Sequence, residues 1–476
     1  MVVVFLVVAL NVVGNVARQQ CNFVLRGITI LLGMTIKDPE EKEFLNNIPK
    51  DARAARKAFD LDPCIITYAC CPVCSYPHEL TDNDGQKRYP ARCTFRRYKT
   101  SQPCGARLTK NQVKDGESIC VPIRPFALQS FQVFVGAMYS REGIEETVRR
   151  TNVCLADDDD LWDIKEGSSI QGLTGPDGKP FLHSTDELRT VWSLSYDGFN
   201  PYHNKAAGKS ASVGSLGMAC LSLPPSLRYL AENLFLAGLV PGRKQPTLDE
   251  LDPILLLLVK PLLNSYNTGT WYSRTYEHPE GRRSREAVAV TVCDLPGSRK
   301  LTGCAGHSAN KFCSLCHLHK DDINNIDQST PGWQRCTYDE HKKAAEAWLA
   351  APNKTQWKRL WKINGVRWSP LLLLPYWDPT EHVVVDAMHN LFLGLVRHHF
   401  REVIGTHWKE QKENDDEDMP AVSAQALEKG RKIMSKSPTR TKLHSLTISV
   451  LRALCLERNL GHLVKQQGSR TKKWPF

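Results

Sequence analysis

The chain has 476 residues, of which 41% are hydrophobic and 24% are charged. This composition excludes a collagen, a disordered acidic tail and a polytopic membrane protein, and the length predicts roughly two to four domains. The formal charge is +11, of which +10 falls in residues 421–476. A basic segment beside a nearly neutral body indicates a polyanionic partner such as nucleic acid, although a solvated chain end has the same composition.

The chain begins with an apolar region. The first apolar run has no basic segment before it, and Asn11 and Asn15 interrupt it, so it is too short to span a bilayer. We predict a buried helical hairpin; the alternative is a signal peptide on a secreted or membrane-tethered protein. Residues 38–60 are charged and rich in Ala and predict an exposed helix, which completes a helical region over 1–60.

Sixteen cysteines are too few for a disulfide scaffold, and their clustering favours a reducing compartment. Cys71 and Cys74 form a CPVC knuckle, which Cys93 and Cys104 follow. Four thiolates at two separated points can close a tetrahedral zinc site, so we predict a zinc-binding module over residues 61–125. Buried free cysteines are the alternative interpretation. Other candidate ligands are Cys64, Cys70 and His78. Basic residues between the ligands, which could contact phosphates, are Arg92, Arg96, Arg97 and Lys99.

The middle of the chain changes from helical to strand-rich patterns. An amphipathic helix pair over 126–150 opens a connector and linker that we place at 126–185. A helix is predicted over 248–266, with Pro253 and Pro261 interrupting it.

Two predicted strands are each followed by an acid. VWSLSYDGFNP contains Asp197, EAVAVTVCDLPG contains Asp294, and GMACLSLP predicts a further buried strand. Carboxylates at the ends of neighbouring strands suit two divalent cations in phosphoryl transfer, and oxygen ligands favour Mg²⁺ or Mn²⁺. A turn or a helix N-cap is the simpler interpretation of each Asp alone.

A second cysteine pattern follows Asp294. Cys313 and Cys316 form a CSLC sequence, which predicts half of a zinc site or a structural knuckle, with free thiols as the alternative. Nearby residues that could complete it are His317, His319, Cys304 and His307.

Asp386 and His389 are three residues apart, where the apolar run HVVV turns into a predicted helix. At this spacing they share one helix face. Asp386 could be a third metal-binding acid, or an N-cap beside a packed histidine.

These blocks together resemble a known family. WSLSYDGFNP, LPPSLRYLAENLFLAGLVPG and VTVCDLPGSRKLTGCAGHSANKFCSLC are similar to the CACTA (En/Spm-type) DNA transposases. NGVRWSPLLLLPYWDPTEHVVVDAMHNLFLG is similar to the form found in mushroom-type fungal genomes. The resemblance covers roughly residues 60–405.

The resemblance implies an α/β fold with a ribonuclease H-like core and helical insertions. We place this core at 186–410, with an insertion at about 317–380, after a helical and zinc-ribbon-like N-terminal region. It implies a nuclear enzyme with a DDE/D carboxylate triad that cleaves transposon ends in the presence of Mg²⁺ and transfers strands into target DNA. Self-association is a further expectation.

The resemblance also assigns site residues. Asp197 and Asp294 match the first two acids, and Cys313 and Cys316 match the CxxC after the second acid. The third acid is assigned to Asp386, with Glu381 and Glu402 as alternatives. Family members are usually longer at both ends, so we expect a truncated copy. The alternative function is a catalytically inactive, zinc-containing DNA-binding protein.

Residues 411–476 contain an acidic linker and a basic tail. TKLHSLTISVLRALCLERNLGHLVKQQGSR predicts a short helix-turn-helix unit with some similarity to SAP-type DNA-binding motifs. Its cations are expected to contact phosphates without reading sequence. They are Lys442, Arg452, Arg458, Lys465, Arg470, Lys472 and Lys473.

Overall fold

In a computed structural model, the chain divides into two units, residues 1–395 and residues 396–476. The residues that the structure describes are 2–12, 14, 16–59, 61–83, 86–98, 100–114, 116–153, 161–183, 186–200, 213–242, 247–329, 331–405, 423–435, 442–443 and 445–458.

The first unit holds all the described strands. They are β1 Ile65–Cys70, β2 Pro77–His78, β3 Thr81–Asn83, β4 Gln86–Arg88, β5 Thr109–Lys114, β6 Glu117–Pro122, β7 Pro125–Gln129, β8 Leu188–Phe199, β9 Val213–Cys220, β10 Leu234–Val240, β11 Thr270–Tyr272, β12 Arg282–Cys293 and β13 Val383–Val385.

Its α-helices are α1 Val2–Val12, α2 Arg18–Thr35, α3 Pro39–Asn46, α4 Ala52–Ala58, α5 Phe131–Tyr139, α6 Ile144–Val153, α7 Ser168–Gln171, α8 Pro225–Arg228, α9 Leu248–Asn267, α10 Leu295–Thr302, α11 Tyr338–Ala350 and α12 Lys354–Asn364. The second unit contains α13 Ala424–Met434 and α14 Ile448–Glu457. Short 3₁₀ turns lie at Ile164–Glu166, Ala231–Asn233, Lys320–Asp322, Pro331–Trp333 and Pro370–Leu373, and π-helical segments at Met388–Val396 and His399–Val403.

One mixed sheet of nine strands organises the first unit. Its order is β11-β12-β8-β9-β10-β7-β1-β2, and β13 also pairs with β12. β8, β9 and β10 are antiparallel neighbours, whereas β12 is parallel to β8 and β13 is parallel to β12. β8 is buried without interruption from Leu188 to Leu194, as expected for a central strand that is covered on both faces.

Helix α9 packs against β12 and is continuous from Leu248 to Asn267. The predicted interruption at Pro253 and Pro261 is therefore wrong. An interior proline costs about 3 kcal/mol, but each fully buried aliphatic side chain returns about 1.5–3 kcal/mol. The buried stripe that outweighs the two prolines is Leu251, Ile254, Leu255, Leu258, Val259 and Leu262.

The N-terminal predictions hold in part. α1 and α2 form a hairpin around buried Val7, Cys21 and Leu25, but the predicted single helix over 38–60 is two short helices. The predicted helix pair over 126–150 begins with β7 before α5 and α6. None of the described helices is long and apolar enough to cross a membrane.

In the second unit, α13 and α14 pack around Val450 and Leu454 of α14 and around Leu446, which precedes α14. α14 lies inside the predicted helix-turn-helix unit, but its observed partner, α13, begins upstream of that unit. The rest of the predicted motif, from residue 459, lies outside the described residues.

Candidate active site

The sheet brings three predicted acids to one edge. In the β8–β12 register Leu194 pairs with Thr291, and three residues further on each strand are Asp197 and Asp294. In the β12–β13 register Cys293 pairs with Val385, and the next residues are Asp294 and Asp386. Continuing the two registers therefore places Asp197, Asp294 and Asp386 side by side at the C-terminal ends of three parallel strands. We call these three residues the aspartate row.

Asp197 lies inside β8, not beyond its end as predicted from the sequence, because β9 continues to pair there. It stands opposite Ser215, and its Oδ1 accepts a hydrogen bond from the N–H of Gly198 at 2.7 Å. The residue is exposed to solvent. The first acid is thus accessible and held on a paired strand.

Asp294 is the N-cap of α10, and its Oδ1 accepts from the N–H of Gly297 at 2.6 Å. The helix start lies close to β8: a Cβ added at Gly297 would be 2.5 Å from the carbonyl oxygen of Tyr196 and 2.7 Å from Oδ1 of Asp294. Only glycine therefore fits here without a shift. The capping interpretation of Asp294 is confirmed, and it does not conflict with a second role.

Asp386 follows β13 and is bonded on both oxygens. Oδ1 accepts from the N–H of Met388 at 2.9 Å, and Oδ2 contacts Nδ1 of His389. The hydrogen bond with His389 lowers the pKa of Asp386, so this carboxyl is ionised near neutral pH. His389 is largely exposed and orients the carboxylate.

Electrostatics place the three acids near common neighbours. Burial chiefly raises the pKa of the Cys293 thiol to about 12, and the charges of all three carboxylates add to this rise. The hydrogen bond with Asp386 raises the pKa of His389, and the other two aspartates act in the same direction. Burial and then the charges of Asp197 and Asp294 raise the pKa of Tyr196 to about 12. Cys293, His389 and Tyr196 are therefore each influenced by the charge of at least two of the three carboxylates.

The alternative third acids lie elsewhere. Glu381 precedes β13 and Asp386 follows it, so the strand separates Glu381 from the aspartate row. Glu402 belongs to the second unit. The row is not among the described groups whose ligand atoms all lie within 4.8 Å of one another.

The N-terminal cysteines form a compact cluster that could hold a metal ion. The sulfur atoms of Cys71, Cys74, Cys93 and Cys104 all lie within 4.8 Å of one another. Sγ–Sγ distances are 3.6 Å for Cys71–Cys104 and 3.6 Å for Cys74–Cys93. Hydrogen bonding with Cys74 is the main cause that lowers the pKa of Cys71 to about 4. Four sulfurs at this spacing fit tetrahedral zinc.

The other candidate ligands here differ in position. Nε2 of His78 lies 3.3 Å from Sγ of Cys93, so His78 borders the cluster. Cys64 and Cys70 are not members of the four-sulfur group. Burial raises the pKa of Cys70 to about 12, which keeps it a neutral thiol.

Cys313 and Cys316 have a neighbour that sequence reasoning missed. Cys316 and Arg335 form an antiparallel bridge, and the adjacent Cys336 donates its N–H to Leu315 O at 3.0 Å. Burial and then the charges of Cys313 and Cys316 raise the pKa of Cys336 to about 11. A third cysteine downstream of a CxxC was the available signal.

The two histidines that follow Cys316 lie in different environments. Nδ1 of His317 lies 3.7 Å from Sγ of Cys336, whereas His319 caps the 3₁₀ turn at Lys320–Asp322. Cys304 is buried and His307 is exposed. Within the described residues, these sulfurs are not grouped within 4.8 Å as those of the first cluster are.

The predicted DNA-contacting residues of the tail are only partly described. Lys442 and Arg458 are exposed, and Arg452 lies in α14. The others, Lys465, Arg470, Lys472 and Lys473, lie outside the described residues.

Residues 179–351 match the family model described as transposase family tnp2. The match includes Asp197, Asp294 and the second cysteine group, and it ends before Asp386. No curated protein matches the chain. The family match supports a transposase family for this chain, and such a family implies DNA binding.

Proposed function

We propose that this protein is a DDE/D transposase of the CACTA type that acts in the nucleus, cutting transposon ends and joining them to target DNA. The aspartate row carries the proposal, because it aligns three acids at one sheet edge within and just beyond the segment that matches a transposase family. The third acid of the triad is then Asp386.

The strand order supports a ribonuclease H-like core. Three antiparallel strands, β8 to β10, are followed by α9 and by β12 parallel to β8, and then by β13 parallel to β12. The chain between α10 and β13 contains α11 and α12, which fits a helical insertion. Such an arrangement sets acids from distant parts of the chain on one rigid edge.

The donor chemistry of the row suits Mg²⁺ or Mn²⁺, which prefer carboxylate oxygens. Asp197, Asp294 and Asp386 would hold the ions. When bound, such ions supply charge stabilisation for the attacking and leaving oxygens of an in-line displacement.

The residues of the chain do the positioning. The N–H groups of Gly198, Gly297 and Met388 each fix one carboxylate oxygen of the row. These backbone bonds hold the acids without neutralising them. The exposure of Asp197 leaves the row open to a DNA backbone, and no protein nucleophile is required for attack by water or a 3′-hydroxyl group.

We also propose that the four N-terminal cysteines bind zinc as a structural site. Their region has a small core, in which the four sulfurs are accompanied mainly by Leu108, Tyr76 and Phe95, so metal binding would supply folding free energy. A second zinc would use Cys313, Cys316 and Cys336, with His317 as the fourth ligand.

Substitution Asp197→Asn tests the catalytic proposal. We expect the purified variant to bind a transposon-end duplex like the unmodified protein but to lose nicking in Mg²⁺. Asp339→Asn is the matched control, because Asp339 is exposed on α11 and the same charge is removed. Nicking by Asp197→Asn at the control rate would refute the assignment.

A further inference from the structure

Residues 86–114, inside the cysteine-rich segment between β1 and β7, carry a dense positive charge, with the acids Asp82, Asp84, Asp115 and Glu117 on either side. Residues 86–114 contain nine Lys and Arg and no Asp or Glu. Residues 1–420 have a net charge of +1, so the part of residues 1–420 that lies outside residues 86–114 has a net charge of −8. Positive and negative charges are therefore distributed very unevenly along residues 1–420.

Six of these cations are exposed among the described residues: Lys87, Arg88, Arg92, Arg96, Arg107 and Lys110. We call them the cationic surface. Within the part of the chain that the structure describes, the guanidinium groups of Arg92, Arg96 and Arg107 donate only to backbone carbonyl oxygens, which do not cancel their charge. Among the described residues, Arg92, Arg96, Arg107 and Lys110 form no ion pair with a carboxylate, whereas Lys87 lies opposite Asp82 in the β3–β4 register and Arg97 pairs with Asp249 at 3.0 Å.

Arg92 and Arg107 directly face each other in an isolated antiparallel bridge. Like charges at such positions repel and destabilise the pair unless an anion lies between them. The bridge is fixed by the N–H of Cys93 donating to Ala106 O at 2.8 Å, and by the N–H of Gly105 donating to Cys93 O at 2.9 Å. The repulsive pair is thus built onto the loops that carry two of the cluster sulfurs.

The aromatic residues of this segment are engaged internally. Tyr76 stacks on Phe95 with ring centroids 4.5 Å apart, and the hydroxyl of Tyr89 donates to Thr67 O at 2.8 Å. Single-stranded nucleic acids are usually held by open aromatic faces on which bases stack. Cations without such faces suit the phosphate backbone of a duplex.

We infer that the cationic surface binds the phosphate backbone of duplex DNA, without reading its sequence, and that the four-cysteine cluster holds this surface in shape. The inference rests on the proposed function for its choice of DNA, but it does not depend on cleavage. On this inference, the protein has two basic regions that contact DNA electrostatically, the cationic surface and the basic tail.

The test measures the salt dependence of duplex binding by fluorescence anisotropy in Ca²⁺, using the full chain and a 30-base-pair duplex. Each phosphate that the protein no longer neutralises should reduce the slope of log K against log salt by about 0.9. Removing three charges with Arg92→Gln, Arg107→Gln and Lys110→Gln should reduce it by roughly 2–3.

A triple control, Lys343→Gln, Lys358→Gln and Arg359→Gln, removes the same charge from exposed positions on α11 and α12. Its slope should stay within about 0.5 of the original value. Arg92→Lys with Arg107→Lys should keep the original slope. If the triple variant misfolds, Lys87→Gln with Lys110→Gln avoids the bridge and should reduce the slope by roughly 1–2.

Equal slopes for the surface variant and the original protein would overturn the inference, as would equal reductions in the surface variant and the control. Tighter binding of a matched RNA duplex, or a reduction confined to anionic vesicles, would show a different partner and also overturn it. Nicking assays on Asp197→Asn are separate, so the inference can fail while the catalytic proposal stands, and the reverse.

Discussion

The cysteine-rich segment between β1 and β7 and the aspartate row are held in place by different forces. The four clustered sulfurs come from residues 71–104, a short stretch with a small core of its own. The aspartate row joins residues from 197 to 386 at the ends of β8, β12 and β13, and the buried side chains of β8 and β12 belong to the large apolar clusters. On the zinc proposal, the local cysteine site depends on its ligand, whereas a site built at the ends of sheet strands is shaped before any ligand binds. The following predictions test that contrast.

The largest effect is expected from Cys93→Ser. Structural zinc in small domains contributes about 10–16 kcal/mol of apparent binding free energy, so its loss should unfold the segment between β1 and β7. Zinc measured by plasma mass spectrometry should fall by about one ion per chain, and proteases should cut within 71–124 while the core survives. Cys120→Ser, an exposed cysteine of β6, is the control. Unchanged zinc content in Cys93→Ser would contradict the local-ligand account.

Asp294→Asn should leave the fold intact but stop catalysis. Asn caps helices as well as Asp does, so the bond to the N–H of Gly297 can persist. Loss of one metal-binding charge should cost about 4 kcal/mol of transition-state stabilisation, or roughly 10³-fold in strand cleavage. Thermal unfolding should shift little. A large fall in melting temperature with retained cleavage would make Asp294 a purely structural residue.

Gly297→Ala should disturb the aspartate row by displacing the start of α10. The added Cβ would collide with the carbonyl of Tyr196 and the carboxylate of Asp294, so α10 must move, at a cost of about 1–3 kcal/mol. Both melting temperature and cleavage rate should fall. Gly306→Ala is the matched control, since an added Cβ there meets nothing within 4 Å. Equal behaviour of the two variants would show that the close approach at Gly297 is unimportant.

His389→Ala should have a smaller effect on cleavage than Asp294→Asn. It removes the partner of Oδ2 of Asp386 but leaves the N–H of Met388 on Oδ1. Loss of a residue that orients a metal ligand typically costs roughly 10–100-fold in metal affinity or activity. The Mg²⁺ concentration for half-maximal cleavage should therefore rise, while His307→Ala, at an exposed position, should not change it. An unchanged Mg²⁺ requirement in His389→Ala would show that His389 does not orient Asp386 for metal binding.

The sequence by itself determined the local features. The CxxC spacing pointed to Cys71 and Cys74, and the apolar, β-branched runs located most of β8 and β12, because such patterns depend only on near neighbours. The acids Asp197 and Asp294 were visible as charges at the ends of those runs. The prolines of α9 misled local reasoning, since the burial that outweighs them comes from the sheet.

Only the tertiary structure decided which distant residues meet. The parallel pairing of β12 with β8 and of β13 with β12 sets Asp386 beside Asp294, a relation that no local pattern contains. The bridge between Cys316 and Arg335 brings Cys336 to the second cysteine group, and the bridge between Arg92 and Arg107 creates the repulsive pair. Strand register is fixed by hydrogen bonds and packing across the whole sheet, so these juxtapositions follow from the fold and not from spacing along the chain.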